Sequence, residues 1–160
     1  MPVELVEKAR PMRVSQKCQY ALRAVFELAR RGEGGPVKIS EIAGAQAIPP
    51  RFLEVILSQL KQGGFVESRR GAEGGYLLAR PAHAITVGEL IRFIDGPIGP
   101  VGCFEEDSTE RCELRGQCVF SEMWKKAHEA VCGVYDSTTI HDLVEEDKYK
   151  GQVEAATYTI

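Results

Sequence analysis

Three of the five cysteines, Cys103, Cys112 and Cys118, fall in one short acidic stretch, CFEEDSTERCELRGQC, with eight and then five residues between them. Thiolates are soft ligands, and three on one glycine-containing loop, with no apolar run to bury the sulfurs, suit an iron-sulfur cluster or zinc. Zinc sites usually close on CxxC or CxxxxC pairs, which this stretch lacks. A thiol-disulfide sensor, or surface thiols with no role, would use the same residues. Spacing alone leaves these chemistries open and favours the cluster, as 2Fe-2S or 4Fe-4S.

Catalytic groupings are not evident elsewhere. His83 lies in a PAHA turn, and His128 and His141 sit in helical segments with no serine or acidic partner at triad spacing. RGAEGG is not a phosphate loop, because no lysine follows and its glycines lead into the strand-like YLLA. A non-enzyme is expected. The first eleven residues hold no signal-peptide apolar core, and no window approaches the run of about 18 apolar residues that a membrane helix needs. The expected compartment is the reducing cytoplasm, with no membrane partner, where cysteines serve as ligands, sensors or buried thiols rather than disulfides.

The elements around the loop set its position. Thr86 caps a short amphipathic helix, VGELIRFIDG, and PIGPVG then breaks regular structure and delivers Cys103. After Cys118, Val119, Met123, Trp124, Ala127, Val131 and Val134 recur at helical spacing, giving a long helix whose apolar face needs a partner; a second copy of the chain is the natural one. Cys132 is at core spacing on that helix and is assigned to packing. STTIHDLV supplies one more short helix, and residues 147–160 read as a mobile tail.

The other half of the chain carries opposite charge. Residues 10–80 hold twelve Lys/Arg against six Asp/Glu, and residues 81–160 seven against fifteen. A basic module beside an acidic one points to a polyanion as partner of the first. Ser15 can cap a helix running to about Arg31, with Ala21, Leu22, Val25, Leu28 and Ala29 on one face. Ser40 is expected to cap EIAGAQ, and Pro50 suits the first position of RFLEVILSQLKQ, stopped by Gly63. Two helices joined by a tight turn make a helix-turn-helix candidate. Leu53, Ile56, Leu57 and Leu60 form the buried stripe of its second helix, leaving Arg51, Glu54, Ser58 and Lys61 on the polar face. Phe65–Ser68 and Tyr76–Ala79 then read as two short strands around a glycine-rich tip.

The expected fold is therefore mostly α with a small β-hairpin: a winged helix-turn-helix DNA-binding domain over 12–81, a linker helix and loop over 82–102, the cysteine loop over 103–118, and a dimerisation helix with a short C-terminal helix over 119–146. The expected DNA-contacting set is Ser40, Pro50, Arg51, Glu54 and Ser58 at the helices, with Arg69, Arg70, Gly71, Gly74, Gly75 and Tyr76 at the wing. The helix would enter the major groove and the wing would reach phosphates or the minor groove.

MRVSQKCQYALRAVFELA, the ISEIA to IPPRFLEVILSQLKQGGFVESRRG block, GGYLLARP, TVGELI and the CX8CX5C loop together resemble the bacterial IscR/NsrR-type winged-helix regulators over about residues 12–146. The resemblance implies a homodimeric transcription factor, a repressor among its roles, that binds a palindromic operator. It implies an iron-sulfur cluster on Cys103, Cys112 and Cys118 whose state alters DNA binding, sensing iron-sulfur supply, redox state or nitric oxide. It also implies a start at Met12, making residues 1–11 an extension. The chain departs from the pattern at the fourth ligand. The biogenesis regulators of this family have histidine three residues after the last cysteine, where Ser121 stands here, and the nitric-oxide sensors have aspartate where Gln19 stands. Cys18, beside Gln19, reads first as a small buried residue of the opening helix and second as an alternative thiolate from a partner; His128 lies about 15 Å along a helix from Cys118, too far to serve easily. A cluster-free thiol or zinc regulator is the alternative within this class. Control by binding a metabolic enzyme is another, used by cysteine-metabolism members of the family that lack the three-cysteine loop.

Overall fold

The computed structural model describes residues 13–106, 108 and 112–157. The expected extension over 1–11 lies outside them. Helix α1 spans Gln16–Arg31 and begins where a side chain can satisfy its unpaired amides: the Ser15 hydroxyl accepts the Cys18 N–H at 3.0 Å. Asp95 fixes that cap from the far end of another helix, accepting the Ser15 N–H at 2.8 Å and its hydroxyl at 2.5 Å. Cys18, Ala21, Ala24, Val25 and Leu28 form the buried face, and the two alanines allow close approach by neighbouring helices.

Helices α2 (Ile39–Gln46) and α3 (Pro50–Gln62) are joined by a short turn in which Ala47 takes a left-handed conformation, φ +50°. Leu53, Leu57 and Leu60 have no exposed surface and Ile56 almost none, each contributing about 1.5–3 kcal/mol by burial. Pro50 is the first residue of α3, as its spacing predicts, and Gly63 closes it. One expectation needs correction. Helix α2 starts ahead of Ser40, which sits exposed in its first turn. Glu41 rather than Ser40 satisfies the helix start, reaching back to accept the Lys38 N–H at 3.0 Å.

Strands β1 (Val66–Arg69) and β2 (Gly75–Leu78) pair antiparallel, Val66 opposite Leu78 and Arg69 opposite Gly75. Each lies within a residue of its expected position. Val37, just before α2, adds an isolated antiparallel bridge to β2, exchanging two 2.8 Å backbone hydrogen bonds with Tyr76. This close approach requires Gly75, since a Cβ there would collide with the Val37 backbone. The wing is thereby tied to the start of α2 as well as to the end of α3.

Helix α4 (Val87–Asp95) is capped by Thr86, whose hydroxyl accepts the Glu89 N–H at 3.1 Å. It packs on α1 and α5, and its Phe93 meets Phe65 at the wing root, ring centres 5.2 Å apart. Helix α5 covers Ser121–Ser137 and has no fully buried residue. Helix α6 (Ile140–Thr157) then turns back to α1, inserting Ile140 and Val144 into the core. The expected short helix and unstructured tail give way to one helix through Thr157. No proline interrupts it, and Lys148–Glu145 and Lys150–Glu146 pairs at 2.7 Å support its exposed face. No helix among the described residues is long and apolar enough to cross a membrane.

Candidate functional site

The DNA-facing candidates divide between α3 and the hairpin. Burial of the leucine stripe turns Arg51, Glu54 and Ser58 outward, all exposed, with Pro50 exposed at the helix start and Ser40 exposed on α2. Lys61 completes that face and donates to the Ser68 hydroxyl at 2.6 Å, joining the end of α3 to β1. Arg69 and Arg70 are exposed at the wing, Arg69 standing 3.9 Å from the Glu67 carboxylate. Gly71, at the tip, has φ +110°, and a Cβ on Gly74 would run into the Arg69 carbonyl. Gly74 and Gly75 therefore have structural reasons to be glycine, as half-buried members of the hairpin, whatever they meet outside it. Tyr76 is half-buried and packs against the core.

Sequence reasoning missed two residues on this face. Phe52 and Val55 are 63% and 64% exposed, and with Gln16, Lys17, Tyr20 and Ile56 they border a cavity of about 400 Å³. The signal was present: two apolar residues at i and i+3 lie outside the buried stripe.

Behind the helix pair, Glu27 has no exposed surface. It accepts from Arg30 at 2.9 Å, Arg31 at 2.8 Å and Gln46 at 2.8 Å, holding the end of α2 on α1. Burial pushes its carboxyl pKa up, but hydrogen bonds from Arg31, Gln46 and Arg30 outweigh this and leave it below the ordinary value.

The three loop cysteines border one cavity. Cys103 lies in a 3-10 turn, Gly102–Phe104, and is exposed; Cys112 is exposed; Cys118 is half-buried just ahead of α5. Among the described residues no disulfide joins them. All three line one cavity of about 240 Å³ with Phe104, Ser108, Arg115, Gly116 and Ser121. Ser121 donates its backbone N–H to the Cys118 carbonyl at 3.1 Å, which sets the start of α5 against the cavity. Three thiols on one cavity, with two serine hydroxyls and one cationic side chain, form a donor set that fits an anionic thiolate-ligated iron-sulfur cluster.

Arg92 anchors this loop to the helices. Its guanidinium forks onto Glu106 with two 2.6 Å bonds and onto Asp136 at 2.5 and 3.0 Å, joining the loop to α4 and α5. Hydrogen bonds to Glu106 and Asp136 raise the Arg92 pKa, and Arg92 in turn holds both carboxyls below their ordinary values. Gly88 makes room, for a Cβ there would strike Asp136 and Arg92.

Cys18 is the small buried residue of the first helix, as expected, and not an exposed thiolate facing a partner. It is fully buried in the core, and burial, aided by the Asp95 charge, pushes its thiol up to about 12. It is a packed thiol beneath the Ser15 cap, while the neighbouring Gln19 is exposed. Cys132 packs against the core as its spacing predicts, but it also lies 3.7 Å from the His128 ring nitrogens.

Comparison with known proteins places this arrangement. Residues 14–146 match the Rrf2 family, described as an iron-dependent transcriptional regulator. The chain belongs to the Rrf2 family. Among its relatives, the HTH-type transcriptional regulator CymR of Bacillus subtilis is 38% identical over 132 residues, covering 82% of this chain and 89% of CymR. The HTH-type transcriptional regulator IscR of Klebsiella pneumoniae is 33% identical over 133 residues, covering 83% of this chain and 80% of IscR. The solved structure of Bacillus subtilis CymR, titled the global cysteine regulator, superposes with TM-score 0.71 at 35% identity, over 84% of this chain and 97% of CymR. This Rrf2 chain is thus a DNA-binding transcriptional regulator with the winged-helix fold, and its relatives are regulators rather than enzymes.

Proposed function

We propose that this Rrf2 regulator is a cytoplasmic homodimer that binds a palindromic operator and couples that binding to an iron-sulfur cluster on Cys103, Cys112 and Cys118. The observation that carries this reading is the single cavity lined by all three thiols and Ser121. When bound, such a cluster supplies a centre that responds to oxidants, nitric oxide or iron supply. The chain's own residues do the rest. Arg115 offsets thiolate charge, Ser108 and Ser121 also border the cavity, and Arg92 holds Glu106 of the loop to Asp136 of α5. A change in loop conformation thereby reaches the long helix. Met123 (48% exposed) and Val134 (62%), with Val119 exposed just ahead of the helix, give α5 an apolar face suited to a second copy. In the complex, Arg51, Glu54 and Ser58 meet base edges while Arg69 and Arg70 meet the backbone.

Anaerobic purification, with an absorption spectrum and iron and sulfide assays, tests the reading. Coloured protein containing iron and sulfide is expected, and any one of Cys103→Ala, Cys112→Ala or Cys118→Ala should abolish the colour while leaving the dimer folded. Colourless, iron-free protein from anaerobic, iron-replete cells, with DNA binding indifferent to these substitutions, would reject it. The similarity to CymR, the global cysteine regulator of Bacillus subtilis, favours one second reading: control by cysteine metabolism through an enzyme partner. Operator binding that changes on adding such an enzyme, and not on loading or stripping iron, would support that reading instead.

A further inference from the structure

We infer that Glu106, His128 and Cys132 form a second, mononuclear site for a zinc-like divalent cation, distinct from the three-cysteine cavity. None of the three residues lines that cavity. His128 and Cys132 stand four residues apart on α5 and so share a face, and Glu106 reaches them from the loop. One ligand atom from each lies within 4.8 Å of the others, and all three residues are half-buried.

The distances suit one ion. Cys132 Sγ is 3.7 Å from both His128 Nδ1 and Nε2, whereas two ligands of one tetrahedral zinc, at about 2.3 Å for sulfur and 2.0–2.1 Å for nitrogen, stand about 3.6 Å apart. Rotation of the imidazole turns either nitrogen toward the shared point. A thiolate, an imidazole and a carboxylate make the mixed donor set that borderline-soft Zn²⁺ accepts, with water filling the fourth position.

Arg92 is the resident cation. It binds both oxygens of Glu106, and Asp136 offers it a second carboxylate at 2.5 Å. A divalent ion on Glu106 competes with this guanidinium, leaving Arg92 to Asp136. The loop would then be tied to α5 through the metal instead of through the arginine. A cation level could in this way set how firmly the loop is held, independently of what the three cysteines carry.

The test must remove the competing thiols. In the full chain carrying Cys103→Ser, Cys112→Ser and Cys118→Ser, Zn²⁺ titrated against a chromophoric chelator should bind at one equivalent, and Co²⁺ should give a thiolate-to-metal absorption band. Adding His128→Gln or Cys132→Ser should weaken binding about tenfold or more, with Cys132→Ser also removing the Co²⁺ band. Arg92→Gln should strengthen binding by removing the competing charge. Circular dichroism confirms that each variant is folded. No stoichiometric binding in the triple-serine protein, or binding indifferent to both His128→Gln and Cys132→Ser, would overturn the site. These outcomes do not depend on the iron and sulfide assays, so this site and the cluster can fail separately.

Discussion

Glu27 carries a charge with no exposed surface, and its three hydrogen-bonding partners come from both sides of the α1–α2 junction. Glu27→Ala strands the Gln46 amide while the two arginines turn to water, so we expect a loss of about 1–3 kcal/mol in urea unfolding. Because the folded carboxyl titrates below its ordinary value, the stabilisation is complete above that value and disappears as pH falls through the lower folded one. The mutational difference should therefore shrink in acid. At the wing, Arg69→Ala or Arg70→Ala should weaken binding to all DNA sequences and reduce the salt slope by roughly one unit per lost phosphate contact. An unchanged slope in a salt titration would remove these arginines from the interface. Glu54 can accept from cytosine and repel phosphate where no donor faces it. Glu54→Ala should accordingly broaden the operator motif recovered in binding selections more than it lowers affinity.

Between elements, the clearest coupling is Arg92, which draws a loop residue 14 positions away and a helix residue 44 positions away onto one guanidinium. Arg92→Ala leaves Glu106 and Asp136 without the guanidinium that joins them. We expect faster proteolysis within 103–118 and faster amide exchange at the C-terminal half of α5, with the α1–α3 core unchanged. Unaltered cleavage would show that the ion pairs do not hold the loop. Such a junction could not be read from the sequence, because nothing local marks which of many acidic residues an arginine will meet. Elements with local punctuation were legible: Ser15 and Thr86 cap helices, Pro50 opens one, and the glycines at 71, 74 and 75 mark the hairpin. Where local signals compete, sequence and structure diverge. Glu41 took the capping role assigned to Ser40, and the charged, glycine-containing end of α6 looked like coil until its ion pairs were seen in three dimensions. The cysteine grouping was legible in sequence. The burial of Cys18 was legible too, but that Cys132 faces His128 was not.

For the molecule as a whole, the exposed apolar side of α5 carries the argument for a two-fold assembly. Met123→Lys combined with Val134→Lys should yield a monomer in sedimentation velocity. The same variant should lose affinity for a two-half-site operator, whose halves lie about 34 Å apart or a multiple of it, far more than for a single half-site. The return of α6 has a different consequence. The Ile140 N–H donates to the Ile85 carbonyl at 2.9 Å and the Val87 N–H to the Thr138 carbonyl at 2.9 Å, while the Ile140 side chain plugs the core that α1 shares with the DNA-reading helices. At about 5–20 residues per second, a ribosome needs roughly 3–11 s to extend from Ile85 to Ile140. During that interval both helices of the reading head and its hairpin have been synthesised around an open apolar slot. A product terminated early, before Ile140, keeps that slot open to chaperones and proteases. Synthesis order thus disfavours the accumulation of a DNA-binding fragment that lacks its C-terminal half.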